Sequence, residues 1–585
     1  MFDKITFISE QYVLVGLKTD IELKSNILSS HVVISDAEKN LLGEIVEIGD
    51  GKVKIKFLGE FSNGKLFGGI IRKPLLDATV RMVNEQEISI ILGEEKGSSL
   101  NLGRSPFYNG APVNLDVNEF FGSHFAIFGN SGSGKSCGMA RLIQNVFDSK
   151  NFKPYNSNFI LFDVSGEYSK AFSHLSQIDS TYNYRVFSTS ETNKEFEQLH
   201  IPLWLLNASD IALLLMLNSH SQLPIIERML KLAKAFSEST ATAEAFKDHI
   251  IAKAIISILF SDSTPVKKKN DIFGIVETCS TPNFHLETVI SGVGYTRKLR
   301  ECFNIDKFGS FTESILFTEY VTSFVNDAFD DYEPAGDTYY TLQDLEKALD
   351  FTLISEGWYK NENTYADAVT VKVRLHSLIT GPHSKIFNYN RQVNVQQFLT
   401  NLLFNGNKKY QIVNINLDDM DDSMASVITK IITRIVFDFS KTIPNRGTFP
   451  FHILVEEAHR YIKNDNDNYL IGFNIFERVA KEGRKYGVLL GVISQRPVEL
   501  SDTVISQCSN FLIFKTNHPR DEEYIKKMIP NINTDIVDKQ KSLQSGSCLG
   551  FGTAFKIPVI VKLDMPNPAP LSGNSDVIKY WGNIK

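Results

Sequence analysis

Phe125-Ala126-Ile127-Phe128-Gly129-Asn130-Ser131-Gly132-Ser133-Gly134-Lys135-Ser136 is the stretch from which the fold can be read. Its apolar start has the character of a buried strand. Met139, Leu142, Ile143, Val146 and Phe147 then recur at the spacing of one helix face. Between strand and helix, Gly129 to Ser136 matches G-x-x-x-x-G-K-[ST] in full. In such a loop the glycines let backbone N–H groups curl round phosphates, and the helix N-terminus faces the anion. Lys135 would reach the β/γ-phosphates and the Ser136 hydroxyl would bind Mg²⁺. Gly129, Asn130, Ser131, Gly132, Ser133, Gly134, Lys135, Ser136 and Cys137 are therefore the candidate nucleotide-binding residues, with ATP and Mg²⁺ as the expected cofactors. A plain Gly/Ser turn can match the pattern by chance, but here the motif has the flanking strand and helix that it demands.

Working outward, Phe159-Ile160-Leu161-Phe162-Asp163 is a second buried strand. Strand, helix and strand at this spacing form a βαβ unit, hence an α/β fold with a parallel sheet. Strands return at Gln411–Ile415, Phe451–Val455 and Val488–Ile493, with a helix at about Ser423–Phe439. The core is thus expected in two parts, 101–200 and 401–565, separated by a helical insertion over 201–400. Ile211–Leu217 and Ile225–Phe236 are its periodic segments. Lys267-Lys268-Lys269 and Asp330-Asp331-Tyr332-Glu333-Pro334 read as solvated surface loops. Residues 1–100 read as short strands with turns at Asp50-Gly51 and Asn63-Gly64, the pattern of a small β-barrel. Gly546–Phe551 and Ile557–Leu563 form a last strand pair, and the Pro-rich Met565–Pro570 opens a tail over 566–585.

Nucleotide hydrolysis also needs an acidic residue after a second buried strand. Phe451-His452-Ile453-Leu454-Val455-Glu456-Glu457 supplies two. Glu456 would hold Mg²⁺, through water, and Glu457 would orient the attacking water. Strands of this kind usually end in Asp, so Glu456 departs from the pattern and lengthens the reach to the metal. The next strand ends in Gln495. In RecA-type ATPases a polar residue there senses the γ-phosphate.

The 585 residues carry 61 Lys plus Arg against 68 Asp plus Glu, a net charge of -7. A chain that is basic overall is excluded, so any nucleic-acid contact must come from local basic clusters. The five cysteines are odd in number and widely spaced, without a C-x-x-C pair, which disfavours a disulfide framework or a cysteine zinc site. The start of the chain does not read as a signal peptide, and no apolar run approaches the roughly 18 residues of a membrane span. A cytoplasmic protein without a membrane segment is expected.

Taken together, several segments resemble the HerA branch of the FtsK–HerA ATPases. They are Phe125 to Ser136, Asp163-Val164-Ser165-Gly166-Glu167-Tyr168, Val455-Glu456-Glu457-Ala458-His459, Glu482-Gly483-Arg484-Lys485-Tyr486-Gly487, Ser494-Gln495-Arg496-Pro497 and Leu543 to Pro558. The resemblance implies a RecA-like P-loop ATPase core with an N-terminal barrel, assembled as a homo-hexamer around double-stranded DNA. Arg484 stands at the family's arginine-finger position, serving the neighbouring subunit's site, with Arg496 a weaker candidate. Family members often carry Arg just before the residue aligned with His124; here it is Ser123. Asp163 and Glu167 match a motif near the nucleotide, and Glu167 reads equally well as a structural carboxylate. The resemblance further implies a partner, either a nuclease or a sirtuin-like NAD-cleaving effector, in DNA-end processing or antiphage defence. Lys463 with the Asn/Asp run after it, and Arg478 with Lys481, are the candidate pore-loop cations. The expected function is an ATP-driven DNA translocase or helicase. The alternative is a nucleotide-regulated ring scaffold that activates an effector without translocation.

Overall fold

Apolar runs without alternation belong to strands covered on both faces, and such strands normally run parallel. A computed structural model of the chain, which describes all residues except 19–26, 37–38, 191, 359–361, 464–471, 529–539, 574–576 and 582–585, arranges them this way. Among the described residues a twelve-stranded sheet has the order Glu197–Gln198, Tyr184–Ser188, Ile412–Asn416, Phe159–Asp163, Phe451–Val455, Val488–Ser494, His124–Phe128, Cys508–Phe514, Ser547–Gly552, Val559–Lys562, Ser99–Arg104 and Pro112–Asp116. The first eight are mutually parallel and the last four antiparallel. Every residue of His124–Phe128, Phe159–Asp163, Ile412–Asn416, Phe451–Val455 and Val488–Ser494 is buried.

Parallel pairing brings the strand ends together. Phe128 pairs with Ser494, Val455 with Val492, and Phe162 with Val455. The segments that follow these strands therefore emerge along one edge, where open α/β sheets bind their ligands. The helix Lys135–Asp148 packs over the sheet through buried Met139, Leu142, Ile143, Val146 and Phe147. Each such side chain contributes about 1.5–3 kcal/mol on burial. The approach is close: a Cβ on Gly138 would lie 2.2 Å from the Phe514 ring.

The N-terminal strands form a separate antiparallel sheet of seven, Phe2–Ile8 to Thr79–Met82. Both expected hairpins are present. Asn40–Gly49 pairs with Lys52–Ser62 across Asp50-Gly51, and Lys52–Ser62 pairs with Lys65–Gly68 across Asn63-Gly64. All four turn residues have positive φ, as a two-residue hairpin turn requires. The end strands lie beside each other without a ladder between them. This sheet ends at Met82. A helix, Glu85–Leu92, follows, and Ser99–Arg104 and Pro112–Asp116 already belong to the large sheet.

Between Gln198 and Ile412 the chain is mainly helical, with a small hairpin at Val289–Gly292 and Tyr295–Lys298 and a minor strand pair at Phe404–Asn405 and Lys408–Lys409. One expectation is corrected. Lys267-Lys268-Lys269 lies within the helix Pro265–Thr278, not in a loop. Thr264 caps that helix by accepting from the Lys267 N–H, and Pro265 fits its first turn. The acidic run near Asp330 does follow a short turn, but it is tied down: Asp330 pairs with Lys253 at 2.6 Å and Glu333 with Lys231 at 2.7 Å. The tail folds back instead of trailing away. Gln144 donates to Pro568 O at 2.9 Å and accepts from Asn567 N–H at 3.0 Å. Leu571 N–H donates to Glu167 O at 2.7 Å.

Candidate functional site

At the strand ends a cavity of about 400 Å³ opens over the Gly-rich loop. Asn130 to Gly132 and Gly134 to Cys137 form one wall, and Glu457, His459, Arg460, Gln495 and Arg496 another. Gly132 and Gly134 hold φ of +73° and +95°, conformations that L side chains rarely adopt. A Cβ on Gly134 would also meet Gly546 N at 2.7 Å. The late loop Ser545-Gly546 packs directly on the phosphate loop: Gly546 N–H donates to Ser133 O and Ser545 Oγ to Gly132 O, both at 3.0 Å. Gly129 and Ser133 are buried and do not line the cavity. Ser133 Oγ donates to Asn130 O at 2.7 Å and so shapes the loop from inside.

Lys135, Glu457 and Gln495 meet on one atom. Lys135 Nζ donates to Glu457 Oε1 at 2.7 Å and Gln495 Nε2 donates to the same oxygen at 2.6 Å. Burial alone would raise the Glu457 carboxyl. The Lys135 charge and these hydrogen bonds outweigh it and hold the group below the usual range, ionised. The Glu457 backbone has φ +44° and ψ +44°, a left-handed conformation in a non-glycine residue. Strain of this kind gathers at functional sites. It turns the chain sharply after Val455 and puts the carboxylate over the loop.

Glu456 faces inward and is almost fully buried. Burial first, then the charges of Asp163 and Glu167, push its carboxyl well up. Asp163 accepts from Glu167 N–H at 3.0 Å, Tyr168 N–H at 2.9 Å and Asn414 Nδ2 at 3.0 Å. It is the carboxylate that fixes the loop after its strand, while Glu167 lines the cavity. The residues present fit a Mg²⁺ ion. Glu456 Oε2 is buried without a hydrogen-bond partner, and Ser136 lines the cavity. Among the described residues no group of three or more His, Cys, Asp or Glu could hold a metal alone.

Arg484 is elsewhere. It is exposed in the short turn Gly483–Tyr486, ahead of the strand Val488–Ser494. Gln495 follows the other end of that strand, so at about 3.3 Å per residue the two lie on the order of 20 Å apart. Arg484 cannot reach this cavity. Arg496 lines the cavity and pairs with Glu499 at 2.9 Å. Arg478 lies on the helix Ile475–Glu482, with its guanidinium over the Phe473 and Phe437 rings. The Asn/Asp run after Lys463 falls outside the described residues. No role was read from the sequence for His459, Arg460, Ser545 or Ser572, all of which line the cavity. His459 stood in a recognised motif. Ser545 lay in the Leu543 to Pro558 segment of the resemblance, and Ser572 comes from a distant segment with no local signal.

Residues 100–284 match the family described as Helicase HerA, central domain. This segment, which contains the Gly-rich loop, is similar to the HerA central domain. The DNA double-strand break repair helicase HerA of Saccharolobus solfataricus is 32% identical over 182 residues, 30% of this chain and 36% of that protein. A probable helicase of Methanocaldococcus jannaschii is 31% identical over 182 residues, 30% of this chain and 34% of that protein. The chain thus matches about a third of the length of these relatives. Among solved structures, VirB4 of Thermoanaerobacter pseudethanolicus aligns at TM-score 0.45 and 13% identity, over 81% of this chain and 98% of that one. No helix among the described residues is long and apolar enough to cross a membrane.

Proposed function

We propose that this chain is an ATP-hydrolysing DNA translocase or helicase that works as a ring. The observation that carries this reading is the meeting of Lys135, Glu457 and Gln495 over the phosphate loop of a HerA-type core. Lys135 binds the β/γ-phosphates and the loop's N–H groups hold the rest of the triphosphate. The triphosphate competes for Lys135, which frees Glu457 to accept a hydrogen bond from the attacking water and polarise it. Gln495, bonded to Glu457, registers the terminal phosphate. Ser136 and Glu456 would hold Mg²⁺, which supplies charge neutralisation at the β/γ oxygens when bound.

A homo-hexamer is part of this proposal. Its support is the position of Arg484, which can serve as a finger only for a neighbour. A trans arginine contributes about 10³–10⁵ in rate. Double-stranded DNA in the ring, and a nuclease or NAD-cleaving partner in end processing or antiphage defence, rest on the family resemblance. The test is ATP turnover with and without duplex DNA. A translocase is stimulated by DNA. A rate indifferent to DNA but raised by a co-purifying effector protein would support the scaffold alternative instead.

A further inference from the structure

Lys135, Glu457 and Gln495 satisfy one another, but the other carboxyl of the acidic turn keeps an open oxygen. Glu456 Oε2 is buried without a hydrogen-bond partner, and Glu456 does not line the cavity, so its partner has to come from a neighbouring side chain. Tyr168 offers one. Its side chain is fully buried, and among the described residues its hydroxyl also lacks a hydrogen bond. The charge of Glu456, ahead of those of Asp163 and Glu167, bears on the phenol, and Ser136 lies against it. The residue is held from both sides. Its N–H donates to Asp163 Oδ2 at 2.9 Å, its carbonyl accepts from Tyr184 Oη at 2.7 Å, and its ring stacks on Phe172 with 6.5 Å between centroids. Asp163 already accepts three hydrogen bonds, and Glu167 lines the cavity, where water or a ligand can reach it. Glu456 is the buried acceptor left over.

We propose that Tyr168 is a positioning residue that links the buried Glu456 to Ser136, the hydroxyl assigned to Mg²⁺. A hydroxyl carries one donor and two acceptor lone pairs. When Ser136 Oγ turns a lone pair to the metal, its O–H needs an acceptor. Tyr168 Oη supplies it and donates its own O–H to Glu456 Oε2, which pairs both orphaned groups at once. Tyr168 touches neither nucleotide nor metal; it fixes the direction of the Ser136 lone pair. The unpaired phenol is a cost that the chain carries until the ligand arrives. The inference rests on the nucleotide-binding reading above and adds how the buried carboxyl acts on the metal-binding hydroxyl.

The experiment uses Tyr168→Phe in the full chain, which removes only the hydroxyl. Without nucleotide or metal the variant should melt at the wild-type temperature or above it, because a buried group without a partner is lost. ATP binding is then followed by calorimetry in EDTA and across a Mg²⁺ titration. Affinity in EDTA should be unchanged, while the Mg²⁺ concentration that half-saturates the ATP complex should rise about fivefold. A variant that melts clearly lower without nucleotide would make the hydroxyl a structural group and overturn the proposal. So would an unchanged Mg²⁺ requirement, or an ATP affinity lost equally with and without Mg²⁺. The same substitution in a Glu167→Ala background should keep its full effect. Loss of the effect there would assign the phenol to Glu167 and overturn the link to Glu456. A folded wild type that binds no ATP at any Mg²⁺ concentration would overturn the nucleotide reading itself, which is a different failure.

Discussion

Lys135 and Glu457, 322 positions apart in the chain, share a hydrogen-bonded ion pair of 2.7 Å with both side chains nearly buried. Breaking a buried pair by removing one partner costs about 3–5 kcal/mol, because the other charge is left uncompensated. Nucleotide phosphate is the natural replacement partner for Lys135. Glu457→Gln should therefore bind ATP without turning it over and melt below the wild type. ATP should raise its Tm more than it raises that of the wild type. Calorimetry and phosphate release check the two halves. Loss of turnover with retained binding in Glu456→Gln, but not in Glu457→Gln, would exchange the two roles.

His459 contacts the same carboxylate from the other side. Its Nδ1 lies 3.4 Å from Glu457 Oε2 and 3.2 Å from Ser494 Oγ, which in turn accepts from Arg496 N–H at 3.0 Å. The ring links the acidic turn to the end of the Gln495 strand. His459→Ala is expected to lower kcat by about tenfold, the loss for ~1.4 kcal/mol of transition-state stabilisation, with KM nearly unchanged. A KM effect alone would mean that the ring only shapes the cavity.

Arg484 is tested by mixing subunits. Arg484→Ala and Lys135→Ala proteins should each be inactive. In the proposed ring, mixed assemblies would contain some interfaces with an intact Lys135 on one side and an intact Arg484 on the other, so part of the activity should return. Mass measurement of the mixed rings shows whether subunits exchange. Exchange without recovery would remove the trans role.

The sequence carried the phosphate loop, the acidic turn and the Gln495 strand because each is local: a strand, a few residues, and a turn whose chemistry is written in place. It also carried the two N-terminal hairpins, since Asp-Gly and Asn-Gly encode their own backbone. It did not carry the pairing of the Ser545 loop with Gly132, or of the tail with Gln144, because these contacts join segments hundreds of residues apart and use serine, proline and backbone groups found in any loop. Lys267-Lys268-Lys269 misled for a related reason. Charge density suggests a solvated loop, while the Thr264 cap and Pro265 that start a helix are quieter signals.

Stability should depend on pH through two buried histidines. His452 donates from Nε2 to Phe121 O at 2.9 Å and stacks on Phe159, and His124 Nδ1 accepts from Leu490 N–H at 2.9 Å. Burial pushes each down to about 4. An unfolded histidine titrates near 6.5. With the folded value depressed, each ring's contribution is full above about pH 6.5 and is lost as pH falls towards 4. The buried Asp163, raised to about 6, works in the opposite direction, so the comparison must be with a variant. The stability advantage of the wild type over His452→Gln should shrink between pH 7 and pH 4.5, followed by denaturant unfolding. A constant difference would contradict the neutral-ring account.

The central claim is that Lys135 serves ATP hydrolysis in the cavity it shares with Glu457 and Gln495. Steady-state phosphate release from Mg²⁺–ATP by the wild type and by Lys135→Ala, both shown to be folded, tests it most directly. The account predicts turnover by the wild type and none above background in the variant. Equal rates in the two proteins would contradict it.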